Sequence, residues 1–137
     1  MNVKEWNRLD EEDQSSVIRS QPLSIDFIEQ IWNSLTEEQR NDICLYQELP
    51  IKFIKNKWNK LTIPQQNLIC QYQKLPIKFI EQLWSQLNGC QRDNICLYQK
   101  LSIDFIKNKW KELTKWQRTL ICEHQILPIR FIKKIWK

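Results

Sequence analysis

The chain has 137 residues, a formal net charge of +5 and a single glycine, Gly89. So few glycines exclude phosphate-binding and dinucleotide-binding loops, which need glycine where the backbone approaches the ligand, and they disfavour a hairpin-rich β-protein. With 42% hydrophobic residues and seven tryptophans, the chain has enough apolar side chain to bury a core. The excess of cations permits an acidic or phosphate-bearing partner.

The first segment, Met1–Asp13, is rich in charge. It carries acids where a secretory signal has an apolar stretch, and no apolar run in the chain reaches membrane-spanning length. The five cysteines are an odd number, which suits a reducing compartment. We therefore expect a cytoplasmic protein with no membrane contact.

A repeat of 26 residues governs the rest of the chain. The segment LSIDFIEQIW begins at Leu23, and related segments begin at Leu49, Leu75, Leu101 and Leu127. One column of the repeat holds tryptophans, Trp6, Trp32, Trp58, Trp84, Trp110 and Trp136, and another holds Phe27, Phe53, Phe79, Phe105 and Phe131. Self-similarity at this period is typical of α-solenoids, in which each repeat is one layer.

The repeat predicts one all-α domain over residues 1–137, an α-solenoid of helix-turn-helix repeats with about five to six layers. Its parts are a partial capping repeat (1–22), four full repeats (23–48, 49–74, 75–100 and 101–126) and a terminal half repeat (127–137).

Each repeat reads as two short helices. Apolar residues from Ile25 to Leu35 recur on one helical face, which predicts a helix B over about residues 24–33. The capping-box motif T-x-x-Q then predicts the start of a helix A over about residues 37–47. The motif occurs at Thr36, Thr62 and Thr114, with weaker versions at Asn88 and Asp10. Such short helices gain stability mainly by packing, so we expect a rod on the order of 50 Å long.

A second period of 52 residues lies on top of the first. One column of helix B holds Ile31, Lys57, Leu83, Lys109 and Ile135 in turn. This alternation predicts two packing environments, with a charged rim on every second layer.

Four cysteines occupy one column of helix A, namely Cys44, Cys70, Cys96 and Cys122. Neighbouring helices lie about 8–10 Å apart. A disulfide needs its two Cα atoms within about 7 Å of each other, and a zinc site needs each sulfur at about 2.3 Å from the metal ion. We therefore expect small buried side chains, with no metal and no other cofactor. Cys90 lies off this column at a helix start and is the thiol expected to be exposed.

The tryptophan and phenylalanine columns share a stripe with aliphatic residues, which favours a buried core over a stacking platform for bases. Trp116 lies outside these columns and is predicted to be an exposed contact residue.

A further column holds Tyr46, Tyr72, Tyr98 and His124, each followed by glutamine. The tyrosine column and the glutamine column are both expected to satisfy the hydrogen-bonding groups at the end of helix A.

Basic residues cluster on helix B of several layers. The candidate binding residues are Lys52, Lys55, Lys57, Lys107, Lys109, Arg130, Lys133 and Lys134, together with Trp116. Acids such as Glu29 and Asp104 interrupt this positive surface. Two interpretations are therefore open: a solvated helix face, or a surface that tracks phosphates or an acidic protein.

A resemblance lies in three segments, ICLYQELPIKFI, ICQYQKLPIKFI and ICLYQKLSIDFI. They resemble the short tandem repeats, of the form I-S-x-Y-Q-x-L-S-x-x-F-I, of many uncharacterised bacteriophage, prophage and large-virus proteins. The likeness covers most of residues 23–137, although this chain has cysteine in place of the serine and a longer unit. It implies a virus-derived binding protein, a class that includes inhibitors of host defence such as anti-CRISPR proteins.

The repeated columns supply no nucleophile with its base and no cluster of metal ligands, so we do not expect an enzyme. The first hypothesis is a non-enzymatic protein that covers a surface of a host protein or ribonucleoprotein, in the cytoplasm of the host cell. The alternative is direct binding of RNA or DNA through the lysines. The last layer, with Ile129, Ile132 and Trp136, has no helix A to cover it, which predicts weak self-association.

Overall fold

The computed structural model describes residues 1–135, and over this range it is an all-α helical repeat, as predicted. The chain forms two compact units, Met1–Gln73 and Lys74–Lys137. The first contains α1 (Val3–Asn7), α2 (Glu11–Ser20), α3 (Ile25–Ile31), α4 (Glu37–Tyr46), α5 (Ile51–Lys57) and α6 (Ile63–Tyr72). The second contains α7 (Ile77–Leu83), α8 (Gly89–Tyr98), α9 (Ile103–Lys109), α10 (Lys115–His124) and α11 (Ile129–Ile135). Within each unit, consecutive helices A pack side by side, α2 on α4, α4 on α6, and α8 on α10.

Capping boxes mark where α4, α6, α8 and α10 begin. The Thr36 hydroxyl accepts a hydrogen bond from the Gln39 amide at 3.1 Å, and the Gln39 side chain accepts one from the Thr36 amide at 3.1 Å. The same reciprocal pair opens α6, α8 and α10, with Asn88 in place of threonine at α8. These contacts satisfy amides that have no partner inside the helix, and they confirm the predicted starts.

Helix B covers the predicted span but ends in a 3-10 turn. The α-helix α3 ends at Ile31, a 3-10 turn covers Trp32–Ser34, and Leu35 is extended. Equivalent 3-10 turns follow α5, α7 and α9. Pro50 and Pro76 are the N-cap residues of α5 and α7, and their backbone is extended, with ψ of 150° and 145°.

Aromatic rings of consecutive layers pack edge to face. The ring centroids of Trp32 and Phe53 lie 5.4 Å apart in the first unit, and those of Trp84 and Phe105 lie 5.2 Å apart in the second. Such pairs contribute about 0.5–1.5 kcal/mol beyond their burial. The core prediction is confirmed for the buried rings Trp6, Trp32, Trp58, Trp84, Phe27, Phe53, Phe79, Phe105 and Phe131. Trp110 is only half-buried, and Trp136 lies outside the described residues.

Gln47, Gln73, Gln99 and Gln125 form a glutamine ladder at the C-caps of helices A, and within each unit this ladder ties consecutive helices A together. Gln47 Nε2 donates to the carbonyls of Ile18 and Gln21 at 2.7 and 2.8 Å, and its Oε1 accepts from the Leu23 amide at 2.9 Å. Gln73 and Gln125 make the same three contacts to their own preceding layers. The polar role predicted for the glutamines is confirmed.

The tyrosines do not share that role. Tyr46, Tyr72 and Tyr98 are 50–53% exposed, and His124 is exposed as well. One carboxamide supplies two donors and an acceptor, which already completes the hydrogen bonds of the junction. The prediction that these rings close the end of helix A is therefore wrong.

Candidate binding surfaces

In the first unit, α5 carries three of the predicted binding lysines. Lys52 and Lys55 are exposed and lie three residues apart, on one helix face. Lys57 is half-buried, and its Nζ lies 6.0 Å from the ring centroids of both Trp32 and Phe53. Lys57 therefore packs its ammonium against the aromatic pair, whereas Lys52 and Lys55 are exposed.

In the second unit, α9 shows the same division between an outward and an inward lysine. Lys107 is exposed, whereas Lys109 is half-buried with its Nζ 4.0 Å from Glu112 Oε1. The same oxygen accepts a hydrogen bond from the buried Trp84 indole at 2.9 Å. The half-buried Lys57 and Lys109 alternate with the buried Ile31 and Leu83, as the longer period predicts.

The helix α11 and the first turn of α10 carry the remaining predicted residues. Arg130, Lys133 and Lys134 are exposed on α11, which contains no acid within Ile129–Ile135. Trp116 is 57% exposed, so its predicted exposure is confirmed, while its role as a contact residue stays a prediction.

Two columns of helix B are exposed in every described repeat. The first column holds Asp26, Lys52, Lys78, Asp104 and Arg130, and the second holds Glu29, Lys55, Glu81, Lys107 and Lys133. Both columns therefore hold acids in some layers and cations in others, whereas the phenylalanine column is the same residue in every layer and is buried throughout. The interior is a constant frame, and the exposed surface varies.

The cysteines divide into buried and exposed thiols. Cys44, Cys70 and Cys96 are buried, as predicted, and burial raises the pKa of Cys44 and of Cys96 to about 12. Cys90 is exposed, as predicted. Cys122 is also exposed, which corrects the prediction that its whole column is buried. Partial desolvation, followed by the nearby Glu123 carboxylate, raises the pKa of Cys122.

An open groove explains both Cys122 and the half-buried Trp110. This α10 groove has a volume of about 450 Å³ and is lined by Trp110, Lys115, Arg118, Thr119, Cys122, Glu123 and Ile135. Ile129 and Ile132 are exposed nearby in sequence, as predicted, while Trp136 lies outside the described residues. In earlier layers, the residues that share columns with Trp110 and Cys122 are buried. These two columns were the signal in the sequence for this groove.

Backbone groups beside the α10 groove also differ from their counterparts. In the preceding layer Gln125 bonds the carbonyls of Cys96 and Gln99 and the amide of Leu101. The corresponding groups one layer later are the carbonyls of Cys122 and Gln125 and the amide of Leu127. Within the described chain, no side chain bonds these three groups.

Within residues 1–135 no three His, Cys, Asp or Glu side chains are grouped so that they could hold a metal ion. None of the helices in that range has the length and apolar character needed to cross a membrane. The chain matches no protein-family model, and comparison with curated proteins and with solved structures gave no match.

Proposed function

We propose that this protein is a non-enzymatic binding module that covers a surface of a host macromolecule, a protein or a ribonucleoprotein. One observation carries the proposal: the exposed columns of helix B vary in charge on a frame whose buried columns stay the same. Repeat proteins commonly present variable side chains on a constant frame to bind partners.

The mixed sign of the surface favours a protein partner over a bare phosphate backbone. Glu29 on α3 precedes Lys55 on α5 by one repeat, and Glu81 on α7 precedes Lys107 on α9 in the same way. A uniformly negative backbone repels such acids, whereas a protein surface of complementary pattern uses them to fix its register.

The alternative, direct binding of RNA or DNA, is favoured by α5 and α11. Each of these helices carries three cations and no acid, namely Lys52, Lys55 and Lys57 on α5 and Arg130, Lys133 and Lys134 on α11. Three cations on one helix attract phosphates, and such binding weakens steeply as salt is added.

Two measurements separate these functions. We expect generic single-stranded RNA and duplex DNA to bind weakly or not at all at low salt. Binding with a log-log salt slope steeper than about −4, abolished by Lys55→Glu or Lys133→Glu, would replace the protein-binding proposal with the nucleic-acid alternative.

The second measurement is affinity capture from a lysate of the host cell, with and without nuclease. We expect a protein that stays bound after nuclease and is lost with the double variant Lys52→Glu, Lys55→Glu, but not with the matched control Lys100→Glu. Equal capture by both variants would contradict the proposal. The likeness to virus repeats supports the narrower proposal that this partner belongs to the host defence machinery, as for anti-CRISPR proteins.

A further inference from the structure

The tyrosine column is an exposed column that changes little from layer to layer. Tyr46, Tyr72 and Tyr98 are about half exposed, and His124 is exposed as well. The exposed columns of helix B, by contrast, hold acids in some layers and cations in others. The glutamine ladder already satisfies the backbone groups at the end of helix A, so the frame does not need the phenols. An exposed ring that recurs in successive layers indicates a contact that recurs with the same period.

A cleft lies beside the tyrosine column in each unit. The first cleft, of about 420 Å³, lies between the ends of α2 and α4, and the second, of about 380 Å³, lies between the ends of α8 and α10. The lining of the second matches that of the first position for position, three repeats later. Column positions of two consecutive layers line each cleft, Ser20 and Tyr46 in the first and Tyr98 and His124 in the second. The cleft therefore belongs to the junction between two packed helices A.

We infer that the tyrosine column binds an extended, proline-rich segment of a partner protein, in the polyproline II conformation and with prolines three residues apart. Neighbouring helices lie about 8–10 Å apart, so Tyr46 on α4 and Tyr72 on α6, which pack side by side, follow each other at this spacing. Polyproline II rises about 3.1 Å per residue and therefore advances about 9.3 Å in one turn of three residues. Every third residue of such a segment faces the next ring. An α-helix repeats its face about every 5.4 Å and a β-strand about every 6.6 Å, and neither length equals one layer.

The chemistry of the column also fits proline. A phenol presents an apolar face to a proline ring, and its hydroxyl donates to a backbone carbonyl. The carbonyls of polyproline II have no partner within the segment, so they are open to such a donor. Aromatic-lined grooves bind proline-rich segments in general, because the ligand is already ordered before it binds. His124 keeps an aromatic ring at the same position of the column.

Charge beside the column favours an uncharged ligand. Glu48 lines the first cleft together with Tyr46, and the apolar Ile126 occupies the equivalent place in the second. Arg19, the cation that lines the first cleft, forms an ion pair with Asp42 at 3.1 Å. A chain of phosphates would meet the Glu48 carboxylate in a cleft whose cation is already paired. Single-stranded nucleic acid, whose bases stack on aromatic rings, is therefore the less favoured ligand.

The probe is a blocked synthetic peptide, PAAPAAPAAP, whose prolines lie three residues apart, added to the full chain. The chain has three tyrosines, so selective labelling of tyrosine rings gives three NMR signals. We expect saturable shifts of these signals and no shift of the ring signals of Trp116, which is exposed but lies outside the column. The peptide PPAAAAAAPP has the same composition but no two prolines three residues apart. It should bind at least about fivefold more weakly, because its prolines do not meet successive rings.

Variants of the column test the same site. The triple variant Tyr46→Ala, Tyr72→Ala, Tyr98→Ala should weaken binding of a fluorescently labelled PAAPAAPAAP peptide at least about tenfold. The matched control Ile63→Ala, which removes an exposed apolar side chain from the first turn of α6, should leave binding unchanged. The labelled-ring experiment needs no variant, so it also tests the inference if the triple variant fails to fold.

Four results would overturn the inference: no shift of the tyrosine signals at millimolar peptide, equal affinity for the two peptides, binding unaffected by the triple variant, or larger shifts with oligouridine than with the proline peptide. The last result would assign the column to stacked bases. None of them bears on the exposed columns of helix B, so failure of this inference and failure of the proposed function are distinguishable.

Discussion

One column of helix A shows how strongly the surroundings of a side chain decide its chemistry. Cys44 and Cys96 lie against the next helix A, are fully buried and have pKa values raised to about 12 by that burial. Cys122 has the same sequence neighbour, an isoleucine, but faces the open α10 groove. Sequence columns therefore predict which residues are equivalent, but they do not reveal which helix covers each one.

We expect two thiols to react rapidly with Ellman's reagent in the native protein at pH 8, namely Cys90 and Cys122. The three buried thiols should react only on unfolding. Cys90→Ser and Cys122→Ser should each remove one rapid equivalent, which serves as the control. Rapid reaction of three or more thiols in the native state would contradict the assigned burial.

The raised thiol pKa values also give a direction for alkaline stability. An unfolded cysteine ionises near its ordinary value of 9.0, whereas native Cys44 and Cys96 stay protonated until about pH 12. Their contribution to stability is therefore fully present below pH 9.0 and is lost as the pH rises from there towards 12.

At the scale of the helix, the capping residues and the glutamine ladder could be predicted from the sequence. The T-x-x-Q motif marks the starts of α4, α6 and α10, and a glutamine follows each residue of the tyrosine column. The 3-10 turn at the end of helix B could not be predicted, because a 3-10 turn and an α-helical turn place Trp32 on the same apolar face.

Some of the candidate binding residues could be predicted and others could not. The exposed Trp116 and Lys52 follow from columns that hold polar or variable residues. The inward packing of Lys57 and Lys109 was indicated only by their alternation with Ile31 and Leu83. A lysine in a core column buries its aliphatic stem and keeps its ammonium group near the surface. Composition does not distinguish such a lysine from one that lies on the exposed rim of a layer.

Replacing one rung of the ladder tests how helices A are joined. We expect Gln47→Leu to lower the free energy of unfolding by about 2–4 kcal/mol, because the Ile18 and Gln21 carbonyls and the Leu23 amide lose their partner. Urea denaturation followed by tryptophan fluorescence measures this change. Gln30→Leu, at an exposed position of α3, should change stability by less than about 0.5 kcal/mol. Equal effects of the two substitutions would show that the ladder adds nothing.

At the scale of the whole molecule, one pattern of contacts recurs in both units. Within each unit, a helix A that follows another one caps itself and bonds the end of the preceding helix A. The variable charges of helix B are carried by this frame, so the proposed binding function depends on the frame being formed as described.

Amide hydrogen exchange at five equivalent leucines tests this account most directly. The amides of Leu23, Leu49, Leu75 and Leu101 donate to ladder glutamines, whereas within the described chain Leu127 has no such partner. We predict slow exchange at the first four and fast exchange at Leu127. Fast exchange at all five amides would contradict the layered frame, and slow exchange at Leu127 in the isolated chain would contradict the open groove.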